Sequence, residues 1–310
     1  MKPKIIGIVG PTASGKSDLA VKLARKFNGE VISADSRQVY KGLDIGTGKV
    51  SRDNLFPKTS SLKLLPRRQA GKTHFYMGVL HHLLDVANPK RKFTVADYKK
   101  LGEKAIEQIL KRKKLPIVCG GTGLYIDSLL RNIDFPDVPP STKLREKLSK
   151  LSAPELYKKL RKLDPRRAKE IDRNNPRRLI RALEIATALG TVPRMKKQDT
   201  KYDVRWIGIK PSDEMLKKKI HIRLIARLKQ GMISEARNLH KQGLSFKRMD
   251  ELGLEYRYLA MLIQKKISRK QFIIILEKEI WKYSKRQMTW FKKNKDIKWF
   301  SSISNVKVEP

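Results

Sequence analysis

Residues 4–17 read KIIGIVGPTASGKS, an apolar run that leads into a turn bounded by two glycines. The run at residues 4–9 is rich in β-branched side chains, which predicts a short buried strand. Residues 10–17 fit the pattern G-x-x-x-x-G-K-[ST] at every position, and apolar residues with helical spacing follow as far as Phe27. A strand, a glycine-rich turn and a helix in this order predict a P-loop, whose backbone N–H groups surround an anion at the positive end of the helix.

The P-loop indicates a polyphosphate or diphosphate ligand without specifying a nucleotide. In this motif Lys16 adds a positive charge, and Ser17 is the candidate ligand of Mg²⁺. The alternative, a glycine turn that binds nothing, is disfavoured by the strand before the turn and the helix after it. The predicted diphosphate-binding residues are Gly10, Pro11, Thr12, Ala13, Ser14, Gly15, Lys16 and Ser17.

A second candidate site residue, Asp35, directly follows a strand-like run at residues 30–34. The other strand after which an acid is expected, at residues 115–119, runs into Gly-Gly-Thr-Gly instead. A carboxylate at the carboxyl end of a strand, close to the P-loop, suits a general base or a metal partner. An aspartate that only caps a turn or a helix is the alternative.

The order of elements predicts the fold class. Strands at residues 4–9, 30–34 and 115–119 alternate with helices, including one at residues 94–113 whose first turn Thr94 caps. This alternation is typical of an α/β fold with a P-loop parallel-sheet core, in which sites form at the carboxyl ends of the strands.

The pattern changes after Asn132. Basic helices are predicted as far as Leu189, a strand at residues 204–209 and long amphipathic helices thereafter, whereas residues 51–78 have no clear pattern. We predict three parts: residues 1–132 as the first part of the P-loop core, residues 133–192 as a helical basic insertion domain, and residues 193–310 as the completion of the core with long C-terminal helices.

Charge sets the expected class of partner. The 310 residues include 71 Lys and Arg against 30 Asp and Glu, a formal net charge of +41. Such an excess of positive charge favours nucleic acid as the binding partner, with an anionic membrane surface as the second candidate. The alternative is that every protein of the proteome is rich in lysine, in which case the charge indicates no partner. The single cysteine, Cys119, excludes a disulfide framework and a cysteine-based zinc site. No signal-peptide pattern and no apolar run of about 20 residues occurs, so we expect a soluble intracellular protein.

Further short segments form an ordered set along nearly the whole chain. They are DSRQVY at 35–40, GLDIGT at 42–47 with Lys49, HHLLD at 81–85, residues 93–98, GGTGLY at 120–125, residues 175–184 and KRQMTWF at 285–291. Together with the P-loop, their order and spacing resemble the tRNA dimethylallyltransferase (tRNA isopentenyltransferase) family. The resemblance is to the bacterial type, because one cysteine cannot form the C-terminal zinc finger of eukaryotic relatives.

The resemblance implies transfer of a dimethylallyl group from dimethylallyl diphosphate to N6 of the adenosine 3′ of a tRNA anticodon, with release of diphosphate. The P-loop would then hold the diphosphate of the prenyl donor rather than ATP, with Mg²⁺ as the cofactor. The resemblance also implies three catalytic residues. They are Asp35 as the general base, Thr122 as a hydrogen-bond partner of the adenosine, and Arg223 as a cation for the leaving diphosphate.

An anticodon-loop base must leave its stack before it can react, and contacts to RNA phosphates must offset that cost. The predicted tRNA-binding residues are Asp35, Ser36, Arg37, Gln38, Thr122, Arg145, Arg177, Arg178 and Arg181. Arg177 and Arg181 share one helix face by their i, i+4 spacing, although a merely solvated face is the alternative for such clusters. We expect a cytoplasmic monomer that binds the tRNA anticodon stem-loop and no membrane.

Other function classes remain open from the sequence. The P-loop alone permits a kinase of a nucleotide or small metabolite, but a kinase leaves the charge of +41 unexplained. A nucleic-acid-binding module without catalysis would not need Lys16, Asp35 or Thr122, and free adenine nucleotide could replace tRNA as the acceptor.

Some residues are predicted to have structural roles only, or depart from the family pattern. Structural or packing roles are expected for His81, His82, Cys119, Tyr283, Gln287 and Trp290. Gly48, Val50 and Arg227 differ from the common family residues, and residues 51–78 form a longer link than usual.

Overall fold

A computed structural model describes residues 1–53, 74–133, 135–194 and 199–307 of the chain. It confirms the predicted α/β fold, with a seven-stranded sheet at its centre. The strands are β1 (Lys4–Val9), β2 (Gly29–Ala34), β3 (His74–Tyr76), β4 (Val79–His82), β5 (Leu115–Gly120), β6 (Asp203–Ile209) and β7 (Lys298–Phe300). Their order across the sheet is β3-β4-β2-β5-β1-β6-β7.

The central strand β1 lies between β5 and β6 and pairs with both in parallel. Ile6 is in register with Ile117 on one side and Arg205 on the other. Residues 5–9 are all buried, because helices cover both faces of the sheet and both sides of the strand then need apolar residues. The strands predicted at residues 4–9, 30–34 and 115–119 are confirmed, and their carboxyl ends lie at one edge.

The edge of the sheet contains a β-hairpin that the sequence did not predict. β3 and β4 pair antiparallel through a two-residue turn, Met77–Gly78, whose φ angles of 50° and 76° are both positive. Two positive φ angles are typical of the turn that matches the twist of a hairpin. Asp53 accepts hydrogen bonds from both turn amides, at 2.9 and 2.8 Å. Of the stretch 51–78, for which no structure was predicted, residues 54–73 lie outside the described part of the chain.

The helices of the core surround the sheet. They are α1 (Lys16–Lys26), α2 (Val95–Lys111), α3 (Gly123–Leu130), α8 (Asp213–Lys229), α9 (Met232–Lys241), α10 (Phe246–Leu252), α11 (Leu254–Ile263) and α12 (Arg269–Phe291). The predicted cap of α2 is confirmed: the Thr94 hydroxyl accepts from Asp97 N at 3.1 Å and the Asp97 carboxylate accepts from Thr94 N at 2.8 Å.

The chain divides into two compact units, residues 1–132 with 199–310 and residues 133–198. The second unit contains α4 (Thr142–Leu148), α5 (Ala153–Leu163), α6 (Pro165–Glu170) and α7 (Pro176–Leu189). Leu156, Leu160 and Leu179 are fully buried at its centre. Nowhere in the ranges that the structure describes does a helix have the length and apolar character needed to cross a membrane.

Candidate active site

The P-loop connects the carboxyl end of β1 to the first turn of α1. Gly15, at the N-terminus of α1, has a φ of 92°, a left-handed conformation that a residue with a Cβ adopts only at a cost. At Gly10 a Cβ would lie 2.4 Å from the carbonyl oxygen of Ile209 on the neighbouring strand. The two glycines of the motif therefore permit a close turn against the sheet at the N-terminus of α1, the end of a helix that favours an anion.

Lys16 is buried within this loop. Its ammonium group donates hydrogen bonds to Pro11 O and to Ser14 Oγ, both neutral oxygens. Burial lowers the pKa of Lys16 to about 8. A buried cation with neutral partners gains free energy when an anion enters, so the loop is an electrostatic site for phosphate.

Asp35 lies at the carboxyl end of β2 and caps the turn that follows. One carboxylate oxygen, Oδ1, accepts from Arg37 N at 2.8 Å and from Gln38 N at 3.3 Å. Asp35 therefore does cap a turn, which was the alternative that the sequence left open. This does not exclude a role in the site, because Asp35 also lines two cavities.

Two cavities meet at Asp35. The first contains the P-loop residues Lys16 and Ser17 together with Arg223, and the second contains Ser36 and residues of α11 and α12. They have about 660 and 850 Å³ of empty space, which includes the solvent at their open mouths. The residues that line both cavities are Thr12, Asp35, Thr47 and Tyr283. A ligand in each cavity would approach the other beside the Asp35 carboxylate.

Thr122 precedes α3 and connects the ends of β2 and β5. Its Oγ1 accepts a hydrogen bond from Ser36 N at 3.0 Å, and its own N donates to Ala34 O at 3.1 Å. The structure therefore places Thr122 beside the Asp35–Gln38 turn, although 86 residues separate Thr122 from Ser36 in the sequence.

Arg223 and Arg227 lie one turn apart on α8 and both donate to the loop at residues 44–48. Arg223 Nη2 donates to Gly48 O at 2.9 Å, and Arg227 Nη1 donates to Gly46 O at 2.6 Å. Burial, with Arg227 nearby, holds the pKa of Arg223 below its usual value. Arg227, which differs from the common family residue, buries a second positive charge next to that of Arg223. Its pairing with Glu255 at 3.1 Å compensates this charge.

The same loop is held by a residue that the sequence analysis did not identify. Glu235, on α9, accepts hydrogen bonds from the amides of Asp44, Ile45 and Gly46 at 3.0, 2.6 and 2.9 Å. The hydroxyl of Tyr256 donates to the same carboxylate at 2.7 Å. No local pattern in the sequence signals this contact, because almost 190 residues separate the carboxylate from the amides.

Helix α12 contributes further side chains to the site, for which we expected helix packing rather than base-stacking. Trp290 does pack, with its Nε1 donating to Asp127 at 2.8 Å. Gln287 instead bridges two loops of the site: its Oε1 accepts from Thr12 N at 2.8 Å and its Nε2 donates to Gly121 O at 2.9 Å. Both Gln287 and Tyr283 line the first cavity. The motif at residues 285–291 was the available signal, but it did not show which face of the helix meets the site.

The candidate RNA-binding residues fall in two places. In the core unit, Ser36 and Arg37 line the second cavity, and Gln38 lines the first. In the second unit, Arg145 Nε pairs with the buried Glu184 at 2.7 Å and Arg181 with the same carboxylate at 3.3 Å.

Arg177 and Arg178, at the start of α7 in the second unit, are exposed. The second unit therefore presents Arg177 and Arg178 freely, whereas Arg145 and Arg181 also stabilise its interior.

The histidine pair does not form a metal site. His82 Nε2 bonds the buried Glu30 at 2.7 Å, and the Nδ1 of His81 bonds Val79 O at 3.0 Å. Burial lowers the pKa of His81 to about 4, so this ring is neutral. Burial also raises the pKa of Cys119 to about 12, as expected of an inert core thiol.

Among the described residues, no group of three or more His, Cys, Asp and Glu is arranged to hold a metal ion. Ser17 is exposed at the first cavity and offers one hydroxyl oxygen. This sparse oxygen donor set fits Mg²⁺, which binds few protein ligands and takes the rest from phosphate and water. It does not fit an ion that needs a complete protein cage.

Comparison with known proteins identifies what this arrangement is similar to. A family model described as IPP transferase matches residues 38–294, and one described as isopentenyl transferase matches residues 3–68. The tRNA dimethylallyltransferase 2 of Treponema denticola is 40% identical over 297 residues, covering 94% of this chain and 92% of the relative. The tRNA dimethylallyltransferase of Anoxybacillus flavithermus is 36% identical over 311 residues, covering 99% and 93%.

Solved structures agree with these matches. A tRNA isopentenylpyrophosphate transferase from Staphylococcus epidermidis has a TM-score of 0.66 at 34% identity, covering 99% of this chain and 95% of that one. A eukaryotic dimethylallyltransferase acting on tRNA has a TM-score of 0.76 at 25% identity, covering 98% of this chain and 75% of that one.

Proposed function

The chain belongs to the IPP transferase family, and from this premise we propose that it moves a dimethylallyl group from dimethylallyl diphosphate to N6 of the adenosine 3′ of a tRNA anticodon, releasing diphosphate. The observation that carries the proposal is the position of Asp35, shared by a cavity with a phosphate loop and a second cavity of similar size. A kinase would also need a donor and an acceptor cavity, so prenyl transfer is favoured over phosphoryl transfer by the family to which the chain belongs.

The first cavity suits the prenyl donor. The loop amides, Lys16 and Arg223 would bind the diphosphate, and their positive charges stabilise it as negative charge builds up on leaving. Ser17 would hold Mg²⁺ together with diphosphate oxygens, and the ion, when bound, neutralises charge on the leaving group. Val31 and Leu84, which also line this cavity, offer apolar surface to the five-carbon chain.

The second cavity suits the acceptor base. As C1 of the dimethylallyl group forms a bond to N6, its bond to the diphosphate oxygen breaks, and Asp35 takes a proton from N6. Ser36 and Arg37, which line this cavity, would hold the flipped nucleotide. Gln38 would act from the first cavity, and Thr122, which bonds Ser36 N, would donate a hydrogen bond to the base.

RNA phosphates would contact basic residues of the second unit. We propose Arg177 and Arg178 as direct contacts because both are exposed. Arg145 and Arg181 belong to the same proposed surface, although their pairing with Glu184 gives each a structural role as well. Action as a monomer belongs to the same proposal, and the tRNA substrate supports action in the cytoplasm.

A direct test uses a synthetic anticodon stem-loop RNA and dimethylallyl diphosphate labelled in the prenyl group. We expect label on the RNA and release of unlabelled diphosphate in equal amounts. A control RNA with guanosine in place of the reactive adenosine has an oxygen where adenosine has its N6 amine, and it should remain unlabelled. Absence of label from the adenosine RNA, or labelling of the two RNAs alike, would refute the proposal.

A further inference from the structure

The loop at residues 44–48 is held by one carboxylate from a distant helix. Glu235, on α9, accepts hydrogen bonds from the amides of residues 44–46 at 3.0, 2.6 and 2.9 Å, and from the Tyr256 hydroxyl at 2.7 Å. An ionised carboxylate has lone pairs for about four such bonds, so these contacts use its whole capacity. Glu235 therefore fixes three consecutive backbone amides in one arrangement.

The backbone of this loop is also packed closely and bound at a carbonyl. A Cβ at Gly46 would lie 2.8 Å from the hydroxyl oxygen of Tyr256, which is itself 1% exposed. Arg227 Nη1 donates to Gly46 O at 2.6 Å. The N–H groups and a carbonyl group of the loop are thus bound by separate side chains, which leaves its backbone little freedom.

The far end of the same loop binds Arg223. Arg223 Nη2 donates to Gly48 O at 2.9 Å, and Arg223 lines the first cavity together with Lys16 and Ser17 of the P-loop. A guanidinium has five N–H donors in a rigid plane, so a bond from one of them restricts the directions of the others. The position of Gly48 O therefore decides where the remaining donors of Arg223 lie relative to an anion at the P-loop.

We propose that Glu235 is a positioning residue for the diphosphate site. By holding the amides of residues 44–46 it fixes Gly48 O, which in turn orients the guanidinium of Arg223 towards the leaving group. Glu235 itself lines neither cavity and does not touch the diphosphate. This inference rests on the proposed function, because it takes the anion bound at the P-loop to be the diphosphate of the prenyl donor.

The test measures binding of inorganic diphosphate to the full chain by titration calorimetry, with Mg²⁺ present and RNA absent. Glu235→Gln keeps the size of the side chain, but its NH₂ group cannot accept from the loop amides. We expect the Kd for diphosphate to rise about tenfold, the effect of one hydrogen-bonding group displaced from an anion. Loss of a negative charge would by itself strengthen the binding of an anion, so positioning and net charge predict changes of opposite sign.

A control and a second variant separate positioning from general destabilisation. Glu30→Gln is the matched control, since Glu30 is a buried glutamate of the same unit that bonds His82 and Arg112 outside both cavities. It should lower stability but leave the Kd for diphosphate within about twofold of wild type. Glu235→Asp keeps the charge but is too short to reach all three amides, and its Kd should rise about threefold or more. A wild-type Kd in either variant of Glu235, or an equal rise in Glu30→Gln, would overturn the inference.

A double-mutant cycle tests whether the effect passes through Arg223. In an Arg223→Gln background, Glu235→Gln should change the Kd by less than about twofold, because the group that Glu235 positions is gone. A full tenfold rise in that background would show that Glu235 acts by another route and would refute the proposed link. Transfer of label by the wild-type enzyme tests the proposed function separately: label on the RNA with unchanged diphosphate binding in Glu235→Gln would leave the function standing and remove this inference alone.

Discussion

The side chain of Gln287 offers a sharp test of how α12 supports the phosphate loop. Gln287 is 5% exposed, and its amide group joins Thr12 N, in the P-loop, to Gly121 O, after β5. Substitution Gln287→Ala removes both bonds and leaves Thr12 N and Gly121 O, which belong to residues lining the first cavity, without this partner. The P-loop should then lose a fixed point beside the first cavity.

The size of the effect follows from the two bonds. A hydrogen-bonding group that loses its partner where water is excluded costs about 1–3 kcal/mol, so the pair together should cost at most roughly 2–6 kcal/mol. Part of this loss lowers the free energy of unfolding, and part falls on the geometry of the loop that binds the donor. If about 1.4 kcal/mol falls on donor binding, KM for dimethylallyl diphosphate rises about tenfold.

The measurements are urea unfolding at fixed pH and steady-state kinetics with varied donor. Gln108→Ala is the matched control, since Gln108 lies on α2 outside both cavities. Gly121→Ala reaches the same bridge by another route, because the new Cβ would lie 2.0 Å from Gln287 Nε2 and displace it. The reasoning is refuted if Gln287→Ala matches Gln108→Ala in both stability and KM.

Three further outcomes are expected. Asp35→Ala should lower kcat by about 10²–10⁴-fold while RNA affinity, measured by filter binding, changes little; equal loss of both would remove its assignment as base. Arg178→Ala should weaken RNA binding and reduce the slope of log K against log salt by about one, whereas an unchanged slope would exclude a phosphate contact. Burial alone would raise the pKa of Glu30, but hydrogen bonds from His82 and Arg112 lower it to about 2, against a usual 4.5. A carboxyl group whose pKa is lower in the folded protein stabilises the fold while it is ionised. These contacts therefore contribute about 3 kcal/mol of stability above pH 4.5, which is lost as the pH falls towards 2. Glu30→Gln should therefore unfold at lower urea than wild type at pH 7, with a difference that shrinks on acidification; a constant difference would contradict the linkage.

Local pattern was sufficient for most of the core elements. β1, α1, β2, α2 and β5 were predicted within one or two residues at each end, because each has a clear period or a recognisable cap. The hairpin β3–β4 was missed because strands of three and four residues are too short to show a period. Its two-residue turn, Met77–Gly78, also lacks the Asn or Asp that usually marks such turns.

The site was predictable to a different extent. Residues of continuous motifs, such as Lys16 and Asp35, were identified because their neighbours in sequence are also their neighbours in the site. Glu235 was missed, and for Gln287 helix packing was expected, because the backbone groups that these two side chains bind are 166 or more residues away along the chain. A distant side chain becomes part of a site only through the packing of its helix, and no local signal reports that packing.

The amino-acid sequence by itself determined the anion-binding turn, the carboxylate after the second strand and the excess of positive charge, since each depends on adjacent residues or on composition alone. The tertiary structure decided that two cavities share Asp35 and Tyr283. It also decided that the side-chain amide of Gln287, on α12, joins the P-loop to the loop after β5. The physical reason is that the carboxyl ends of parallel strands and the helix that packs beside them come from distant parts of the chain. They meet only when the sheet has formed.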